Sequence, residues 1–303
     1  MTIPITFRQL AYFVAVAERG TVSDAARMCN VSQPSVSAAV AQLEELIGER
    51  LFHRKQGEGM LLTPRGKKCV HEARELLARA ASFMVDDEDE SSAMSGELSL
   101  AYFKDLGPYY VPRLISSFGK LYPKVEISLV ERTLGDVQQT LMSGNAELAI
   151  TYNLNLRNDI QRKVLTELPP YAMLSAQHPL AGREKVAIAR LAQEPLILEN
   201  LPVTLEYFQS LFWSRQLEPN VKMHTPTFEM QRGLVAHGFG VALSCTRPKG
   251  DISYDGEPIR CIPLADDISP PQVVLAGADE SRRSRIANKF WEFVIDASVF
   301  AQK

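Results

Sequence analysis

Gln33, Ser35, Ser37 and Gln42 fall on what reads as the outer face of one helix. Each carries a hydroxyl or amide able to bond base edges or phosphates in a DNA groove. Ser23, Ser32 and Pro34 lie in the same stretch and are counted with them as candidate DNA contacts. Further along, Arg54, Lys55 and Arg65 stand at the margins of a short ribbon, where cations contact phosphates and supply position and affinity rather than sequence reading. No nucleophile with a neighbouring base motif, no paired metal ligands and no phosphate loop stands out. No catalytic residue, metal or cofactor is therefore expected.

Residues 23–51, SDAARMCNVSQPSVSAAVAQLEELIGERL, must position these groups. Val36, Val40, Leu43 and Ile47 recur at i, i+4, i+7 and i+11, one face of an α-helix. Ala25, Ala26 and Cys29 are small enough to let a preceding helix cross closely, as a helix-turn-helix requires. Ser32 suits the N-cap and Pro34 the first turn, where no amide proton is missed. Thr21 and Asp24 cap the first helix of this pair, and before it Thr6 with Gln9 forms a capping box. It opens a helix over residues 6–19 with Phe7, Leu10, Phe13, Val14 and Ala17 as its buried stripe. Gly57 and Gly59 mark the turn of a two-stranded wing. Pro64 then starts a long helix, read to about residue 89, whose Val70, Ala73, Leu76, Leu77, Ala80, Ala81 and Met84 recur with near-heptad spacing. That spacing predicts a dimerisation helix. The acidic run 86–90 reads as a solvated face and residues 91–96 as a hinge.

With 303 residues, of which 46% are hydrophobic, two domains can each bury a core. The net charge is −3, yet residues 1–68 hold nine Lys or Arg against six Asp or Glu. A locally basic module on an acidic body fits a small DNA-binding unit. Cys29, Cys69, Cys245 and Cys261 are too dispersed for a zinc site or a disulfide framework. Neither a signal peptide nor a membrane span is seen, and a reducing cytoplasm is expected.

From Glu97 the pattern changes. Leu98, Leu100 and Tyr102 alternate with Ser99 and Ala101, Val111 to Phe118 take helical spacing, and Val125, Ile127 and Leu129 alternate again. A helix around Val137 and Leu141 and a buried strand at 148–151 complete a β-α-β-α-β order, which implies a parallel sheet. A second such unit begins near Tyr171, with strands at 171–175, 196–198, 221–224 and 241–244 and helices at 204–216 and 229–237. A late strand at 273–276 and a helix over 281–301 close the chain. Two α/β lobes suit a single ligand between them.

These residues resemble the LysR-type transcriptional regulators over nearly the whole chain. The run AARMCNVSQPSVSAAVAQLEELIGERLFHR, residues 25–54, is close to that family's most recognisable signature. Thr63-Pro64-Arg65-Gly66 matches the start of its linker helix, residues 143–150 its first regulatory subdomain, and His178-Pro179-Leu180 with residues 238–243 its second. The resemblance implies α+β and α/β architecture. A winged helix-turn-helix would occupy residues 1–64, a linker helix and hinge 65–95, and a periplasmic-binding-protein-like effector domain 96–303. Lobe 1 would span 96–168 and 269–303, and lobe 2 would span 169–268. It further implies double-stranded operator DNA as partner, self-association as dimer or tetramer, contact with RNA polymerase, and a small-molecule effector in the cleft. Gln33, Pro34, Ser35 and Ser37 would lie at the major groove, with Arg54 and Lys55 on the backbone. Ala38 and Ala39 stand where relatives often carry longer polar side chains, which leaves more to DNA shape.

For the cleft, the resemblance implies contacts at the turn after the first strand (Tyr102, Phe103, Lys104, Asp105) and at Thr133. It adds Tyr152 and Asn153, the loop with Glu199, Asn200 and Leu201, Phe228, and the strand end at Ser244. Relatives often bind an effector carboxylate through Ser or Thr in the first turn. Here Lys104 would receive an organic anion instead. One alternative is an oxidant sensor of the same family using Cys245 and Cys261, which share a lobe. Another is a solute-binding protein or enzyme on the two-lobed fold.

Overall fold

The structure is a computed structural model in which residues 4–55, 59–82 and 94–297 are described. The first three helices are α1 (Phe7–Arg19), α2 (Val22–Met28) and α3 (Gln33–Ile47). Each start is capped by a side chain named by the sequence. Thr6 Oγ1 accepts from the Gln9 amide while Gln9 Oε1 accepts from the Thr6 amide, Thr21 caps α2 and Ser32 caps α3. Such caps contribute about 1 kcal/mol each. Gly20 and Gly48 end α1 and α3 in the left-handed conformation.

Val36, Val40 and Leu43 of α3 are buried against Ala25 and Ala26 of α2 and the apolar side of α1, with Ile47 half-buried beside them. α1 departs from a single-stripe helix. Phe7 is exposed, whereas Tyr12, Ala15 and Val16 join Leu10, Phe13 and Val14 inside. The reason is that α1 lies against α2, α3 and the linker helix at once.

The wing is an antiparallel pair, β1 (Phe52–Lys55) and β2 (Gly59–Leu62). Its position depends on two glycines. The Met60 amide donates to the Gly20 carbonyl at 2.7 Å, and a Cβ on Gly59 would lie 2.6 Å from that oxygen. A Cβ on Gly66 would lie 2.1 Å from the Leu51 carbonyl oxygen. Glu44 of α3 accepts the Leu51 and Phe52 amides at 2.7 and 3.1 Å, tying the helix to the first wing strand.

α4 (Pro64–Ser82) begins at Pro64 with Thr63 as its cap. Its near-heptad residues divide. Val70 and Ala73 are buried against α1 and Leu77 is half-buried on the same cluster, while Leu76 is exposed. Part of the periodicity therefore comes from packing within this unit, reinforced by the Arg74–Glu18 ion pair at 2.9 Å. Met84, the acidic run and the hinge up to residue 93 lie outside the described residues. β3 already begins at Ser95, so the last two residues of the expected hinge are strand.

Lobe 1 is a five-stranded sheet, ordered β4-β3-β5-β12-β6. Its strands are β3 (Ser95–Phe103), β4 (Lys124–Arg132), β5 (Leu148–Tyr152), β6 (Gln161–Glu167) and β12 (Gln272–Gly277). It is mixed rather than parallel: β3, β4 and β5 are parallel, but β12 runs antiparallel to β5 and β6. The simple alternation also fails in β3, where Ala101 and Phe103 are buried and Tyr102 is half-buried. A central strand covered on both faces has no outward side. In the edge strand β4, Leu129 is exposed. Helices α5 (Gly107–Leu121) and α6 (Leu134–Met142) are the parallel crossovers, and α10 (Arg285–Asp296) packs back on β3. α10 is shorter than the sequence pattern indicates, because Arg283 is extended between it and a 3-10 turn at Glu280–Arg282.

Lobe 2 repeats this plan. β8 (Leu196–Glu199) and β9 (Val221–Thr225) are parallel, and a bridge from Leu196 to Val241 continues in parallel toward β10 (Ala242–Ser244). β7 (Tyr171–Ser175) then lies antiparallel between β10 and β11 (Ile259–Pro263). Helices α7 (Ile188–Leu191), α8 (Pro202–Trp213) and α9 (Phe228–Ala236) cover it. The two connections between lobes run side by side, with the Leu168 amide donating to the Pro271 carbonyl at 3.1 Å.

Candidate functional site

Two places carry the chemistry: the open face of α3 and the space between the lobes. On α3, Gln33, Pro34, Ser35 and Gln42 are exposed, as is Ser32 at the cap and Ser23 on α2, while Ser37 is half-buried. Ala38 is exposed on the same face. The Ser32 and Ser35 hydroxyls bond each other at 2.8 Å, and Gln42 accepts from Gln9 of α1 at 3.2 Å. Gln33 has the longest reach of the free groups. Arg54 and Lys55 occupy β1, opposite Met60 and Gly59. Arg65 is half-buried with Nε 3.4 Å from Glu49 Oε1, so part of its charge is already met.

Between the lobes lies a cavity of about 30 Å³, room for about two waters. Of the residues expected there, Phe103, Asp105, Tyr152, Glu199, Phe228 and Ser244 line it. The others do different work. Tyr102 packs over Gly107, where a Cβ would touch its ring at 2.4 Å. Thr133 starts α6 and donates to Asp136 at 2.6 Å. Asn153 joins Arg162 to Gln272, Asn200 is exposed with its amide on the Thr225 carbonyl, and Leu201 begins α8. Tyr207, Phe208, Gln231 and Leu243 line the cavity without having been singled out. They sit on α8, α9 and β10 at spacings that read as ordinary core, and only the docking of the two lobes turns them toward one point.

Lys104 is not free to receive an anion. Its Nζ lies 2.5 Å from Glu199 Oε1, 3.7 Å from Asp105 Oδ1 and 3.3 Å from the Pro226 carbonyl. Burial by itself would lower the lysine's pKa, but the bonds to Glu199 and Asp105 outweigh it and raise it. Asp105 is pushed up to about 8 by burial and by the neighbouring Glu199, against the lowering effect of Lys104. Glu199 is 5% exposed at the end of β8. The Lys104–Glu199 pair therefore clasps lobe 1 to lobe 2. A second clasp is the 3.0 Å hydrogen bond between the Tyr152 and Thr246 hydroxyls. One apolar cluster runs across the boundary, from Phe103 and Tyr152 to Phe208 and Leu243. The cleft is closed.

Cys245 and Cys261 are both buried, and burial pushes both thiols up, Cys261 to about 12. Cys245 follows β10 and Cys261 lies in β11, on opposite sides of β7. Strands flanking a third are about 9–10 Å apart, beyond the roughly 7 Å a disulfide spans. Among the described residues no group of three metal-binding side chains occurs, and no helix is long and apolar enough to cross a membrane.

Two family models match the chain. Residues 7–67 match the family model of bacterial regulatory helix-turn-helix proteins of the lysR family, and residues 91–298 match the LysR substrate binding domain. The chain is similar to HinK, a LysR family transcriptional regulator from Pseudomonas aeruginosa. The two are 34% identical, with 96% of this chain and 98% of that one covered and a TM-score of 0.64. It is 27% identical to the HTH-type transcriptional regulator YnfL of Escherichia coli, over 97% of this chain and 99% of that one. It is 28% identical to the Escherichia coli transcriptional dual regulator OxyR, over 79% and 78% of the two chains.

Proposed function

The chain belongs to the LysR family of transcriptional regulators, and from that premise we propose how its parts divide the work. Residues 1–64 read operator DNA, 65–95 join and pair the protomers, and 96–303 sense a small molecule. α3 enters the major groove of an inverted repeat with Gln33, Ser35 and Ser37 toward the bases, and the wing cations Arg54 and Lys55 follow the phosphates. Exposed Ala38 makes this reading short and gives DNA deformability a larger share of the specificity. Two protomers, or two pairs, are needed for such a site, and Leu76 on the outer side of α4 is available for a partner helix. The protein works in the cytoplasm, where its DNA and RNA polymerase are.

The observation that carries this reading is the capped α2–α3 pair, with its small-residue crossing and exposed polar face. The test is a gel-shift titration on a site selected from randomised DNA. Gln33→Ala should weaken binding by about 1–3 kcal/mol per site and relax base preference. Unchanged affinity and unchanged preference would remove α3 from the recognition role.

The effector enters the inter-lobe cavity, and binding there alters the closure set by the Lys104–Glu199 and Tyr152–Thr246 clasps. It shifts the assembly only by binding one arrangement better than the other. Oxidant sensing through Cys245 and Cys261 has less support, because both thiols are buried, raised in pKa and separated by β7.

A further inference from the structure

We propose that the inter-lobe cavity takes an organic cation: an amine whose ammonium sits between Asp105 and Glu199 and whose apolar body lies against Phe103, Tyr152, Phe208 and Phe228. This rests on the effector-cleft reading above and names the chemistry of the ligand.

Charge is the first argument. Asp105 and Glu199 line the cavity, and among the described residues no Lys, Arg or His does. An anion entering would be desolvated beside two carboxyl groups, which is costly in a buried site. The second argument is Lys104, whose ammonium reaches in from the rim to Glu199, Asp105 and the Pro226 carbonyl. The chain itself thus shows the site's preferred group in place, a protonated amine with oxygen acceptors around it. The third is Thr204. It is more than nine-tenths buried, lines the cavity, and its Oγ1 has no hydrogen-bond partner among the described residues. Tyr207 Oη is also buried in the lining, but it faces the Cys245 thiol, so Thr204 is the hydroxyl left to a ligand. Buried hydroxyls of this kind are ordinarily satisfied, and an N–H of a bound amine would satisfy Thr204. The aromatic walls complete the fit, since cations are attracted to ring faces. A calcium or magnesium ion, by contrast, takes six or more oxygen ligands, and this lining is mostly apolar.

The cavity, of about 30 Å³, is smaller than any such amine. Entry therefore parts the lobes and exchanges the ligand's ammonium for that of Lys104. The internal ammonium holds the site when the effector is absent, and its displacement is the event that reports binding.

The experiment uses the full chain and four probes, titrated by calorimetry and thermal shift: 2-phenylethylamine, 2-phenylethanol and phenylacetate, which share one body, and the aliphatic butylamine. The amines should bind saturably and the alcohol and the acid should not. Glu199→Gln should weaken 2-phenylethylamine about tenfold or more, the scale of a lost hydrogen bond to a charged group, and Asp105→Asn should weaken it less, because Asp105 is pushed up to about 8 and holds its proton at neutral pH. Thr204→Val should weaken it less, and Lys104→Met, which removes the competitor, should strengthen it. Intact tryptophan fluorescence of each variant shows that it has folded. Tighter binding of phenylacetate, no amine binding at millimolar concentration, or amine affinity indifferent to both carboxyl variants would overturn the proposal. Binding to selected DNA in the same samples keeps the two readings apart. DNA binding that responds to phenylacetate alone preserves the effector cleft and removes the cation. DNA binding that responds to no probe of either charge counts against both.

Discussion

Replacing Gly66 with Ala adds one methyl group where the backbone leaves no space. Gly66 lies in the first turn of α4, with its amide on Thr63 Oγ1 at 2.9 Å. The added Cβ would be 2.1 Å from the Leu51 carbonyl oxygen and 3.0 Å from both the Leu51 carbonyl carbon and Leu62 Cδ2. Leu51 cannot step aside easily. Its side chain is fully buried, its carbonyl accepts the Thr63 amide at 2.9 Å, and its own amide is held by Glu44. Overpacking costs about 1–3 kcal/mol where neighbours can relax, so a clash with a pinned carbonyl belongs at about 3 kcal/mol. For a unit of this size that is about 12–24 °C in Tm. Gly119→Ala is the control. Gly119 is a helical position in α5 with nothing within 4 Å of an added Cβ, and there the same change should stabilise by about 0.5–1 kcal/mol. The chain offers a way to read the two units separately, because its two tryptophans, Trp213 and Trp291, both lie in the sensor. Gly66→Ala should bring forward the early part of the circular-dichroism transition, leave the tryptophan transition in place, and weaken DNA binding through the displaced wing. Gly119→Ala should move only the tryptophan transition, upward. A Gly66→Ala protein with an unchanged transition and unchanged DNA affinity would refute the claim that this close approach sets the wing against the linker helix.

Other outcomes can be checked with the same material. Glu44→Ala leaves the Leu51 and Phe52 amides without their acceptor and should destabilise the DNA-binding unit by about 1–3 kcal/mol, seen in denaturant titration. Tyr152→Phe removes the hydroxyl bond to Thr246 and should cost about 1 kcal/mol while raising the fraction of open cleft, seen as a larger radius of gyration in solution scattering. Asp105 has a native pKa pushed up to about 8 from an ordinary value of 3.8, with Glu199 and Lys104 as the facing groups. Between those values the unfolded state has released a proton that the native state keeps, so sensor stability should fall as pH rises from about 4 to about 8 and level off above. Asp105→Asn should flatten that slope, and an unaltered slope would mean that another group sets it. Peroxide treatment should change DNA binding equally in the native protein and in the Cys245→Ser, Cys261→Ser double variant. A response abolished in the double variant would restore the oxidant-sensing reading.

The DNA-reading end was legible because its determinants are local. Thr6 with Gln9, Thr21, Ser32, Pro34 and the α3 stripe act within one or two helical turns, so residue order alone specifies caps, crossing and outer face. The lobes were legible in outline for a related reason: a buried strand such as β5 and a crossover helix such as α6 each have their own period. What sequence order left open depends on chain segments far apart. The antiparallel β12 and the exposed Leu129 follow from which strands become central and which become edges. The division of the α4 stripe follows from α1 occupying part of its face. Most of all, Lys104 and Glu199 are 95 residues apart, and each alone looks like a surface charge. Only the closure of two separately folded sheets brings them, with Asp105 and the Thr204 hydroxyl, to one place. A lysine that in sequence invites an anion is there the cation already seated in an acidic site.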